Sequence, residues 1–170
     1  MGRLLFTVLA VAVAAAPARA LADDDDESSR GVDKGALGVG LILGEPTGIC
    51  AKLYLKDDQA LQLALGGAFI GGGIQAHADY VFHPYILQTR PSFVLPFYVG
   101  PGVRLIRYDS GRTDHFMALG LRAVAGLVFD FKNVPIDAFI EGAAVFEYGF
   151  KDTEGFGVTF NFGGGVRYYF

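Results

Sequence analysis

The sequence predicts an all-β chain, an eight-stranded antiparallel up-and-down transmembrane β-barrel, from three observations. Long stretches alternate apolar with polar or small residues, short clusters rich in Gly, Pro and Asp interrupt them, and an apolar leader precedes them all. The alternation is clearest in 156–170. There Phe156, Val158, Phe160, Phe162, Val166, Tyr168 and Phe170 share one parity, and Gly157, Thr159, Asn161, Gly163, Gly165, Arg167 and Tyr169 share the other. A period of two over that length belongs to a strand with one apolar and one polar or small face.

Residues 1–22 read as a signal peptide. Arg3 supplies the positive start, Leu4 to Ala16 the apolar stretch, and Ala18, Ala20 and Ala22 the small residues before cleavage after Ala22 or Ala20. The apolar stretch falls short of the ~20 residues that a membrane-spanning helix needs. Residues 23–35 follow as a disordered acidic tail, opening with Asp23 to Glu27 and holding almost no apolar side chain. A calcium site in this run would need a folded loop to arrange its oxygens, and none is predicted. The barrel then occupies 36–170, which leaves no room for a second domain.

Composition narrows the function classes. The chain carries a net charge of −4, and its predicted leader removes two arginines and no acids, so no basic footprint for nucleic acid remains. The single cysteine, Cys50, cannot close an intramolecular disulfide. After the leader, no continuous apolar run reaches ~18 residues, so hydrophobicity is dispersed as a transmembrane barrel requires.

Turn chemistry divides the barrel into strands at 36–43, 49–56, 60–70, 73–83, 92–108, 115–129, 136–148 and 156–170. The separators are Gly44-Glu45-Pro46-Thr47-Gly48, Lys56-Asp57-Asp58, Gly71-Gly72-Gly73, His83-Pro84, Asp109-Ser110-Gly111, Asp130 to Pro135, and Gly149 to Gly155. In the second strand Ile49, Ala51, Leu53 and Leu55 oppose Cys50, Lys52, Tyr54 and Lys56. In the fourth, Ile74, Ala76, Ala78, Tyr80 and Phe82 oppose a face with Gln75, His77 and Asp79. The sixth sets an apolar run from Met117 to Phe129 against Arg122, and the seventh sets Ile136, Ala138 and Ile140 against Asp137, Glu141 and Glu147.

Charge decides which face points inward. Lys52, Lys56, Asp79, Arg104, Arg122, Asp137, Glu141, Glu147 and Arg167 share the polar face with His77, and Arg107 is the exception. Turning each basic member toward lipid would cost about 2–4 kcal/mol near the midplane, so the charged face is the expected lumen. An eight-stranded barrel has room inside only for side chains, and buried charges there must pair. A hairpin centred near 152 sets Asp137 opposite Arg167, and one centred near 132 sets Glu141 diagonally across from Arg122. Tyr80, Phe82, Phe93, Phe97, Phe129, Tyr148, Phe156, Tyr168 and Phe170 gather toward strand ends as interfacial girdles would.

The ending Gly165-x-x-Tyr168-x-Phe170 resembles the terminal signal of bacterial outer-membrane β-barrels. With the leader, the alternation and the short turns, the chain resembles the small outer-membrane barrels of Gram-negative bacteria, the class of the outer membrane protein A transmembrane domain and of outer membrane proteins X and W. That resemblance implies outer-membrane lipid and the barrel-assembly machinery as partners, the latter reading Gly165, Tyr168 and Phe170. It covers the whole mature chain and departs from the pattern in its short outward loops and in the glycines before Gly165.

The expected function is a non-enzymatic outer-membrane barrel, monomeric, without cofactor or metal, in a structural, surface-interaction or narrow-pore role. A lipid-modifying barrel enzyme is the alternative, and Ser110, His115 and Asp109 or Asp114 are its only nucleophile, base and acid in one loop. A soluble lipocalin-like carrier is the third reading, and it needs the aromatic face inside.

Overall fold

The structure is a computed structural model that describes residues 35–69, 72–110, 114–150 and 155–170, so the predicted leader and nearly all of the acidic tail lie outside the described residues. Eight strands follow one another: β1 (Leu37–Gly44), β2 (Thr47–Lys56), β3 (Gln59–Gly67), β4 (Ile74–Thr89), β5 (Phe93–Ser110), β6 (Asp114–Phe131), β7 (Ile136–Phe150) and β8 (Gly155–Tyr169). Each pairs antiparallel with its neighbour in sequence, and β8 returns to β1, closing one all-β up-and-down barrel.

The register fixes the barrel's dimensions. From Gly40 the ladder steps through Cys50, Ala64, His77, Arg104, Gly120 and Glu147 to Gly157, whereas Gly40's own partner on β8 is Arg167, ten residues further on. A stagger of ten over eight strands tilts them by about 40° and leaves a bore that side chains fill.

Several strand boundaries differ from expectation. β4 does not end at His83-Pro84 but runs to Thr89. Its register with β5 shifts between Phe82 and Tyr85 and again between Ile86 and Gln88, so Pro84 sits in an irregularity where its missing N–H costs no ladder bond. β3 stops at Gly67, short of the predicted 70. At the other extreme β5 and β6 reach 18 residues each, longer than predicted.

The β1–β2 connection is reduced to Glu45 and Pro46, both buried. Gly44 makes the corner at φ 126°, a left-handed conformation that glycine adopts without a Cβ penalty. The Thr47 hydroxyl braces it, accepting from Gly44 N at 3.0 Å and donating to Gly44 O at 3.1 Å. Because β1 ends at Gly44, opposite Gly163, residues Gly155–Asn161 of β8 pair with β7 alone. The wall is therefore notched above the β1–β2 corner among the described residues.

Both faces of the wall match the alternation. Phe156 is 91% exposed and Phe162 69%, with Leu41, Leu121, Phe146 and Phe160 also facing outward. Lys52, Asp79, Arg104, Arg122, Asp137 and Arg167 are buried in the bore. Aromatic pairs bridge neighbouring outward positions, with Tyr80 and Phe82 at 5.0 Å, Tyr148 and Phe156 at 5.1 Å and Tyr168 and Phe170 at 5.0 Å between centroids. The carrier reading needed these rings inside, and they are outside.

A charge-paired interior as the candidate functional site

The bore is built as three tiers of polar side chains, each supplied by facing strands. At the end holding the β2–β3 and β6–β7 turns, Asp137 of β7 stands directly opposite Arg167 of β8. The guanidinium donates through Nε to Asp137 Oδ1 at 2.9 Å and through Nη2 to Oδ2 at 3.1 Å, a fork that matches the carboxylate's geometry. Its remaining nitrogen donates to Gln62 Oε1 at 2.8 Å, and Tyr169 donates its hydroxyl to Asp137 Oδ2 at 2.6 Å. Arg167 also lies 4.1 Å above the Phe139 ring. That ring occupies space left by Gly165, whose added Cβ would stand 2.8 Å from it. Gly165 thus has a packing role in the wall, while Tyr168 and Phe170 point outward.

The same tier holds a cation without a carboxylate partner among the described residues. Lys52 is 0% exposed and donates to His83 Nε2 at 2.8 Å. Since an ammonium can only donate, Nε2 is the acceptor and Nδ1–H donates to the Asp58 carbonyl at 3.1 Å. The Tyr54 and Tyr98 rings lie 4.8 and 5.1 Å from the ammonium, adding cation–π attraction.

In the middle tier Arg122 joins two acids that flank it, Asp79 two strands away across Gly102 and Glu141 on the adjacent strand, with Nε 2.9 Å from Asp79 Oδ1 and Nη2 3.3 Å from Glu141 Oε1. Tyr98 donates its hydroxyl to Glu141 Oε2 at 2.8 Å. His77 Nε2 lies 3.6 Å from Asp79 Oδ2 and 3.9 Å from Glu141 Oε1. Glycine opens this tier: a Cβ on Gly102 would stand 1.8 Å from Asp79 Oδ1, and one on Gly126 would stand 2.4 Å from the Tyr98 ring. In the tier nearest the long strand ends, Glu147 accepts from Tyr108 at 2.8 Å and from Arg104 at 3.4 Å, while Arg104 also reaches Thr159 at 3.1 Å. Gln75 donates to Glu45 at 3.2 Å beneath the β1–β2 corner.

Of the ten side chains predicted for the lumen, nine meet in these tiers. Lys56 does not, because the β2–β3 register shifts between Tyr54 and Lys56 and the lysine is exposed at the turn. Arg122 and Glu141 meet by a different geometry from the predicted diagonal. Arg122 stands opposite Val145 and Glu141 opposite Gly126 on adjacent strands, and their long side chains close the gap of four rungs along the wall. Sequence reasoning passed over Gln62, Tyr98 and Tyr108, although parity places each with the charges, and it set Asn161 and Tyr169 on the polar parity without giving them a role in the lumen. Glu45 gave no such signal, since it sits in a turn.

The loop proposed for catalysis is only partly described. Its backbone ladder pairs Asp109 with His115 and Ser110 with Asp114, and the side chains of these four lie outside the described residues. No family model, curated protein or solved structure matches the chain. The class is defined by the fold and its interior: a small closed β-barrel whose bore is filled by paired charges.

Proposed function

We propose that this chain is a non-enzymatic, monomeric β-barrel of the bacterial outer membrane, exported through a cleaved signal and closed to solutes by its own salt-bridged lumen. The observation that carries the reading is the inverted distribution of polarity. Phenylalanine, leucine, isoleucine and valine cover the outside, with Arg107 exposed among them, and Lys52, Asp79, Arg104, Arg122, Asp137 and Arg167 are sealed within. Water penalises such a surface, since exposed apolar patches beyond a few hundred Å² are rare on soluble monomers, whereas lipid rewards it. Paired charges spanning the bore at three heights leave ions no continuous path, which favours a structural or surface-interacting role over a pore.

Residues 23–170, refolded in detergent and added to a planar bilayer, are expected to give no steady channels and to migrate anomalously on unheated gels as folded barrels do. Arg122→Ala leaves Asp79 and Glu141 without their shared cation and is expected to unfold at lower temperature and to conduct intermittently. Reproducible channels from the wild-type chain would overturn the closed lumen, and recovery of the native protein in the soluble fraction would overturn the membrane location.

A further inference from the structure

We infer that His77, Asp79 and Glu141 form a site for one divalent transition-metal cation of the zinc class in the middle of the bore. His77 and Asp79 are two apart on β4, so both side chains point inward from one strand, and Glu141 approaches from β7. Their facing ligand atoms all lie within 4.8 Å of one another. Four-coordinate zinc holds nitrogen and oxygen ligands at ~2.0–2.2 Å, which separates them by roughly 3.4 Å. The observed 3.6 and 3.9 Å separations from His77 Nε2 need a small contraction, and the two carboxylates, whose facing oxygens lie within 4.8 Å, must draw together by up to about 1.4 Å.

A second observation singles out the same point. Asp79 is 0% exposed and its Oδ1 is taken by Arg122, yet its Oδ2, the oxygen facing His77, has no hydrogen-bond partner. A buried carboxylate oxygen without a donor is costly, and a cation between Asp79, His77 and Glu141 removes that cost. Arg122 then serves as the outer partner that fixes the ligating carboxylates.

Charge permits the occupant. Two carboxylates and one guanidinium leave the cluster with one negative charge, and a ligating imidazole is neutral. The neighbouring Arg104 is directed to Glu147. A cavity of about 10 Å³, at the lower limit for one water, is bordered by His77, Glu141, Cys50, Gln62 and Arg167 and adjoins two of the three ligands. One imidazole and two carboxylates suit zinc, cobalt or manganese, while calcium would demand 6–8 oxygens. His77 Nδ1 lacks the outer hydrogen bond that usually steadies a ligating ring, so affinity should be about 10–100-fold below that of a fully supported site.

The test is to refold residues 23–170 with Co²⁺, dialyse, and read both metal content and the visible absorption of the bound ion, alongside His77→Ala and Asp79→Asn. The expected result is one cobalt per folded barrel, displaced by Zn²⁺, with retention reduced at least tenfold in both variants. His77→Ala leaves every Arg122 bond intact and should fold, so its loss of metal is informative even should Asp79→Asn fail to fold. Wild-type protein that retains no stoichiometric metal, or a His77→Ala barrel that retains as much as wild type, would overturn the site and leave Asp79 Oδ2 to a buried water.

Discussion

Arg167 is held by the forked bond to Asp137, by Gln62 and by the face of Phe139, and removing the acid strands a buried guanidinium. Asp137→Ala is expected to destabilise the barrel by about 3–5 kcal/mol, measured by urea-dependent unfolding in detergent or lipid. Asp137→Ala combined with Arg167→Met should recover most of that loss, because no unpaired charge then remains. Lys52 provides the contrast. Its acceptor is a half-buried histidine rather than a carboxylate, so Lys52→Met should shift the same unfolding curve by no more than about 1 kcal/mol, in either direction. At this scale the sequence was legible where geometry is local. Asp137 and Arg167 face each other across one hairpin, and counting from the turn places them opposite. Arg122 and Glu141 are four rungs out of register and meet only through side-chain reach, which counting cannot supply.

Among the elements, β8 carries the plainest alternation and the least symmetric environment. Residues Gly163–Tyr168 pair on both sides, but Gly155–Asn161 pair only with β7. Amide hydrogen exchange should therefore be faster at the residues of 155–161 whose N–H groups point away from β7 than at 163–168, and uniform protection along β8 would show that something covers the notch. Strand identity and face were readable throughout because a period of two survives any register. Strand ends were less so. His83-Pro84 looks like a turn in isolation, yet β5 continues alongside and holds β4 extended through the proline. The apparent three-glycine loop at 71–73 likewise began earlier, at the residue following Gly67.

For the molecule as a whole, closure is the decisive event. A strand stagger of ten sets the bore's width and tilts the strands so that charges distant in sequence share a height: Asp79, Arg122 and Glu141 converge from β4, β6 and β7. The silent bilayer recording expected of the wild-type chain tests whether the side chains that fill the bore at three heights also block ions. By itself the sequence determined the strand count, the alternation and which face holds the charges, since these follow from local periodicity and from the gathering of the charged side chains on one parity. Only the tertiary structure decided the partners within the bore, the exclusion of Lys56, the notch beside β8 and the convergence of His77 with Asp79 and Glu141. Those depend on the stagger and on side-chain reach across the ring, which are properties of the closed barrel and of no single strand.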